Sequence, residues 1–287
     1  MGRVAVVTDS SACLPPAIVA DLGIHVVPLR FCIDDRSYLD GVDITADEVY
    51  RLLPGTRVLP TTSAPTPSDY YAALQRVAGD HAAAVVITIT RRFSAMYQSA
   101  MLAAATARDA LPATTVRVID SGTAAGAEGL VVLNAAKAAA AGADVDAVCE
   151  AARRTMEIVD LIATLETLYY LARSGRVPMA VHWANSVVRV NPLFRILPLS
   201  GEAKTVRVAR GRESAVRQLI ELVRQRLAGH DLCGVVFHSY CLDEAMHLRQ
   251  SVESAFSCRE LYISDFTPAM GIHTGPGVLG LAFYAAD

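Results

Sequence analysis

No stretch of this 287-residue chain stays apolar long enough to cross a bilayer, which takes about 20 consecutive residues. The opening run, Met1 to Val7, gives way at once to Thr8-Asp9-Ser10 and is too short for a signal-peptide core. The alanine-rich segment from Ala124 to Ala141 is broken by Glu128, Asn134 and Lys137, so it reads as a packed helix. A cytoplasmic protein is expected, with no stable membrane insertion and at most transient membrane contact. Basic runs are missing too: Lys+Arg 26 stand against Asp+Glu 29, for a net charge of -3. A polyanion binder needs clustered cations, so nucleic acid is not an expected partner. The six cysteines form no C-x-x-C pair, which suggests buried thiols and not a disulfide frame. Cys233, His238 and Cys241 fall close together, but Cys233 opens an apolar run and no second ligand pair follows at finger spacing. No metal and no cofactor are expected.

Signature motifs are equally scarce. No P-loop, no G-x-S-x-G elbow and no H-E-x-x-H occurs. Gly275-Pro276-Gly277-Val278-Leu279-Gly280 matches G-x-G-x-x-G in form only. A dinucleotide site needs a helix after the glycines and an acid about 20 residues on. Here the chain ends in what reads as a strand.

What the chain does contain is core material, 53% hydrophobic against 19% charged, enough for one large domain or two ordinary ones. Arg3 to Val7, Ile24 to Leu29, Ala83 to Ile89 and Val116 to Ile119 read as strands. Helical stretches alternate with them: one opening at Pro15-Pro16, one behind the capping box Thr45-Ala46-Asp47-Glu48, then Ser68 to Val77, one opening at Ser94, and Thr123 to Ala141. Tyr38 to Gly41 reads as a turn and 56–67 as a long irregular loop. Such alternation predicts a parallel, doubly wound sheet over residues 1–159. From about residue 160 the pattern changes. Thr164 to Leu171 reads as a short amphipathic helix, Leu193 to Leu197 and Lys204 to Val208 as paired strands, and Arg212 to Leu227 as a helix. A glycine loop, 271–277, leads into a last strand, Leu279 to Tyr284. This predicts a second, α+β domain over 160–287.

The stretch Ile87 to Ala100 organises the first half: a buried strand, a short loop and a helix. Ligands in open α/β sheets sit beyond the carboxyl ends of strands, where helix N-termini favour anions. At Ser94 the hydroxyl suits either a plain N-cap or a contact to a carboxylate or phosphate. Asp9-Ser10 and Asp120-Ser121 both end strands, and suit either turn bonds or the lining of a crevice. Thr62, Ser63, Ser94, Arg173, Arg176 and His273 fall on predicted loops. That set lacks an obvious reaction and suits an anion. A hydrolase or acyltransferase would use Ser94 as nucleophile and His273 as base, but no third, orienting acid suggests itself.

Seven stretches, in order, resemble the DegV family of bacterial fatty-acid-binding proteins that serve fatty acid kinase. Thr8-Asp9-Ser10 is similar to its T-D-S, Asp40-Gly41-Val42-Asp43-Ile44-Thr45 to D-G-x-D-I-T, and Thr62-Ser63-Ala64-Pro65 to T-S-Q-P. Phe93 to Ala100 resembles L-S-G-T-Y-x-x-A, Val118 to Ser121 V-I-D-S, Ser174-Gly175-Arg176 G-G-R, and His273 to Gly277 H-T-G-x-G. The resemblance implies a two-domain DegV-like (EDD) fold, a doubly wound N-terminal sheet and a C-terminal α+β domain, with one long-chain fatty acid between them. It implies a carboxylate held by Thr62, Ser63, Ser94 and His273, with Ser10, Arg176, Thr274 and Ser121 in the head-group vicinity. It further implies a separate fatty acid kinase subunit that converts the carboxylate to an acyl phosphate, and no catalytic residue in this chain. Three departures stand out: Ala64 replaces the family's Gln, and Ala95 and Met96 replace Gly and Thr. The last two predict a tighter, more apolar head-group pocket.

Overall fold

The computed structural model describes residues 3–56, 58–178, 180 and 190–286. The chain begins with β1 (Val4–Asp9), buried at every position, as a parallel strand covered on both faces must be. A 3-10 turn and helix α1 (Pro16–Asp21) lead to the short strand β2 (His25–Val27). Strands β3 (Arg30–Ile33) and β4 (Arg36–Leu39) then form a hairpin, so Tyr38 and Leu39 lie in a strand, not in the predicted turn. Helix α2 (Ala46–Leu52) carries the expected capping box of Thr45 and Glu48. The stretch read as irregular holds β5 (Thr61–Ser63), which pairs with β3 and sets Phe31 opposite Thr62. Three-residue strands are too short to show a period in sequence.

Helix α3 (Pro67–Ala78), the wholly buried β6 (Ala83–Thr88), α4 (Met96–Ala110) and β7 (Thr115–Asp120) follow. Four strands make an all-parallel sheet of order β2-β1-β6-β7. The chain runs outward in opposite directions from β1 and β6, so the switch point lies between them. Helix α5 (Ala125–Ala140) is buried along most of its length. A helix apolar all round belongs between layers, and α5 packs on β1 and on strands of the second sheet. Its glycines permit this. A Cβ at Gly129 would lie 2.7 Å from the Ala12 carbonyl oxygen. Asp144 caps α6 (Val145–Ile158) by accepting the Ala147 N–H.

The second sheet starts with β8 (Asp160–Thr164), so Thr164 ends a strand and the predicted helix comes later, as α7 (Tyr169–Ser174). Next come β9 (Asn191–Ile196), β10 (Ala203–Ala209), α8 (Arg212–Leu227), β11 (Asp231–His238), α9 (Leu242–Ala255) and β12 (Cys258–Asp265). Helix α10 (Pro268–Thr274) occupies most of the predicted glycine loop, with Pro268 in its first turn. Strand β13 (Leu279–Ala286) ends the described chain. The sheet order is β10-β9-β8-β13-β11-β12, antiparallel except for β11 with β12. Helices α8 and α9 close its outer face over a core of their own. Its inner face joins α5 and the parallel sheet in one continuous core. The result is an α/β fold of two main sheets, with β4-β3-β5 as a small third one, in keeping with the alternation of elements.

Candidate functional site

A cavity of about 520 Å³ lies where these layers meet, within the range of small-molecule sites. Strand alternation builds one wall. Leu161 and Ala163 of β8 and Phe194 and Ile196 of β9 face it at two-residue spacing, joined by Ala203 of β10 and Phe237 of β11. Leu29 and Ile89, just past the carboxyl ends of β2 and β6, and Ala124 and Ala125 at the start of α5 also border it. The site therefore opens at the switch point of the parallel sheet.

Six of the predicted site residues line this cavity: Thr62, Ser63, Ser94, Arg176, His273 and Thr274. Thr62 and Ser63 are placed by the pairing of β5 with β3. His273 sits in the last turn of α10, and its Nε2 lies 2.7 Å from Thr62 Oγ1. Burial, and then the positive charge of Arg176, lower the His273 pKa from 6.5 to about 4. The imidazole is therefore neutral at pH 7, and a single proton, from the Thr62 hydroxyl or from Nε2, bridges Thr62 Oγ1 and His273 Nε2. Thr274 bonds back to the Met270 carbonyl at 3.3 Å. Arg176 anchors its guanidinium on the Ser174 carbonyl at 2.6 Å.

Ser94 departs from the sequence reading. It does not cap a helix: α4 opens two residues later, at Met96, with Ala95 in the cap position and no side-chain capping bond. A tight turn in which the Phe93 N–H donates to the Thr90 carbonyl delays the helix. The Ser94 hydroxyl accordingly has no hydrogen-bond partner among the described residues, and it stands on the cavity wall beside the uncapped end of α4. Both replacements of the family pattern next to it, Ala95 and Met96, line the cavity, and Met96 is buried. No hydrogen bond joins Ser94 to His273, whose Nε2 faces Thr62.

Ser10 and Ser121 are not on the cavity wall. Ser10 donates to Asp40 at 2.6 Å, and Ser121 bonds the Thr123 carbonyl at 3.2 Å. Behind Ile89 lies a fully buried polar cluster. Asp9 accepts from the Ser11 hydroxyl, from the Ser11 N–H at 3.0 Å, from the Ile89 N–H at 3.3 Å and from Tyr70 at 3.4 Å. Ser11 also reaches Glu128 of α5 at 3.1 Å. Burial raises the Asp9 pKa to about 6 against those hydrogen bonds, and burial with the nearby Asp9 raises Glu128 well above 4.5. Among the described residues no group of three or more His, Cys, Asp or Glu side chains is placed to hold a metal, and no helix is long and apolar enough to cross a membrane. His238 lies buried beside Asp265, whereas Cys241 contacts Arg212 and the Val278 carbonyl.

The sequence reading missed the residues that shape most of the cavity. Phe93, Leu171, Phe194, Phe237, Phe266 and Met270 line it, and a side chain facing a cavity looks in sequence like one facing a core.

The comparisons with known proteins agree with this architecture. The sequence profile described as "Uncharacterised protein, DegV family" matches residues 3–286. A DegV domain-containing protein of Caldanaerobacter subterraneus is 30% identical, with 99% of each chain covered. One from Streptomyces coelicolor is 31% identical over 97% of each. Among solved structures, a DegV family protein from Thermus thermophilus described by its fatty acid binding has a TM-score of 0.91 at 26% identity, covering 99% of this chain and 100% of that one. DegV from Bacillus subtilis, a fatty acid binding protein, shares the fold with a TM-score of 0.87 at 23% identity, with all of both chains covered. The chain belongs to the DegV family.

Proposed function

We propose that this chain binds one long-chain fatty acid in the cavity, between residues 1–159 and 160–287 acting as two lobes. Thr62, Ser63, Ser94 and His273 receive the carboxylate, and Arg176 and Thr274 lie near it. The observation that carries this reading is the composition of the cavity: a largely aliphatic and aromatic wall with a cluster of hydroxyls, one neutral imidazole and two arginines, Arg92 and Arg176. An acyl tail withdrawn from water gains about 0.8 kcal/mol per CH2. A carboxylate is tolerated there only when hydrogen-bonded, and Ser94 has a hydroxyl with no other partner among the described residues. The fatty acid binding of the Thermus thermophilus relative supports the same ligand class.

The chain then acts as a carrier without turnover of its own, presenting the carboxylate to a separate fatty acid kinase that forms the acyl phosphate, in the cytoplasm. A serine acyl transfer would need His273 within reach of Ser94, and His273 is instead engaged with Thr62.

Native mass spectrometry of the protein purified from a bacterial host, followed by lipid extraction, tests the reading. A stoichiometric, reversibly bound C14 to C20 acid is the expected result. An empty protein that also refuses added palmitate and oleate refutes it, and a covalent adduct on Ser94 after exposure to an activated acyl ester would favour the enzyme. Mixing the loaded protein with a fatty acid kinase and ATP tests the second step, through formation of acyl phosphate.

A further inference from the structure

The helix that brings His273 and Thr274 to the cavity is held by the other half of the molecule. Helix α10 has seven residues, and its N-cap residue Thr267 makes no side-chain capping bond. So short a helix gains little from propensity and depends on outside contacts. Asp40, just past β4, supplies one. The Ala269 N–H donates to Asp40 Oδ1 at 2.9 Å, and Ala269 is the second residue of the helix, where an N-cap side chain ordinarily accepts. The carboxylate also complements the helix dipole.

Asp40 is itself fixed. Ser10 donates to its Oδ2 at 2.6 Å, and Ser10 Oγ accepts the Leu29 N–H at 3.1 Å. Both side chains are buried, so bulk water competes little for these bonds. Tyr50 completes the seat. Its phenol donates to the Phe266 carbonyl at 3.1 Å, just ahead of the helix. Its ring fills the notch at Gly271, where an added Cβ would meet the phenol oxygen at 2.2 Å. His273 follows Ala269 by four residues, one turn along the same face, and meets Thr62.

We propose that Asp40 is a positioning residue for carboxylate recognition: through the Ala269 N–H it fixes α10, and with it the His273 imidazole against Thr62, while Ser10 aims Asp40. This rests on the fatty-acid reading above. It gives Ser10, which lies off the cavity wall, a place in the same chain of hydrogen bonds. The two elements it couples, the turn after β4 and helix α10, are 229 residues apart in sequence.

The test uses Asp40→Ala, Asp40→Asn and Ser10→Ala in the full chain, with two measurements. One is backbone amide hydrogen exchange across 268–274. The other is affinity for palmitate and for hexadecanol, which has the same chain length and no carboxylate. Asp40→Ala should speed exchange in α10 and weaken palmitate about five- to tenfold, the usual effect of losing a cap. Hexadecanol affinity should stay within about twofold. Asp40→Asn keeps an acceptor oxygen and should restore most of both, and Ser10→Ala should show a smaller loss in the same direction. Equal losses for the acid and the alcohol, or unchanged exchange in α10, would overturn the proposal. Were the parent protein to bind neither ligand, the fatty-acid reading itself would fall, and the exchange rates alone would decide whether Asp40 holds α10.

Discussion

The cavity has two walls of different construction. One is regular: β8 and β9 send alternate side chains into it, with one more each from β10 and β11, and its shape follows from strand geometry. The other is assembled from short pieces, β5, the loop before α4 and helix α10, each held by contacts from distant parts of the chain. On the fatty-acid reading proposed above, the regular wall decides how much apolar chain fits. The assembled wall decides what sits at its polar end. A change in the first should therefore act through volume, and a change in the second through hydrogen bonds.

Filling the regular wall should have the largest effect. Ala203 lies half-buried on β10, the edge strand of the sheet, so Ala203→Trp can project into the cavity with little damage to the core. Displacing three or four methylenes should cost about 3 kcal/mol of palmitate affinity, read by fluorescent-probe displacement. Unchanged binding would mean that the tail does not run along this wall. On the assembled wall, Ser94→Ala should weaken palmitate by roughly 1–3 kcal/mol, the usual effect of depriving a buried charged acceptor of a donor. Calorimetry that finds equal affinities would remove Ser94 from the site.

A third prediction concerns the carboxylates behind the assembled wall. Burial raises Asp9 from 3.8 to about 6 and Glu128 well above 4.5, so the folded chain holds these protons more tightly than the unfolded chain. Their contribution is full below about pH 4. It declines as pH climbs toward 6 for Asp9, and further for Glu128. His273 acts oppositely: its value, lowered from 6.5 to about 4, withdraws stability as pH falls through that window. Glu128→Gln leaves the His273 contribution in place and removes one titrating group. Its stability in urea should fall less steeply above pH 4.5 than the parent's, by at most about 1.4 kcal/mol per pH unit. Parallel pH profiles would show that Glu128 does not change its proton on folding. The smallest effect is expected at Met96. Met96→Thr should leave overall affinity nearly unchanged while shifting the preferred acyl chain, as measured by competition among C14, C16 and C18 acids. An identical ranking would mean that Met96 does not shape the pocket.

The two walls also differ in how far they can be read from sequence. Runs such as Ala83 to Thr88 are apolar without a break, and a strand buried on both faces leaves that trace. Hydroxyls that end strands or follow them are visible as residue types, which is how Thr62, Ser63 and Ser94 are found. The start of α4 is not visible, because a turn closed between Phe93 and Thr90 delays it and no capping residue marks the true first turn. Helix α10 reads as a glycine loop because its cap comes from Asp40, far away in the chain. The two Asp-Ser strand ends make the same point. Asp9 is wholly buried beside Glu128, while Asp120 accepts the Gly122 N–H at 3.0 Å and pairs with the largely exposed Arg91 at 3.1 Å. Identical dipeptides serve unlike environments, and only the packing around them tells which.

Helix α5 carries a consequence for how the molecule comes apart. Because it is buried along most of its length and lodged against both sheets, parting the halves would expose its apolar surface to water. Cutting the chain at residue 160 would leave the first fragment with a bare greasy helix and the second with a bare sheet face. The two halves should therefore melt as one unit, and neither should stay monomeric when made alone.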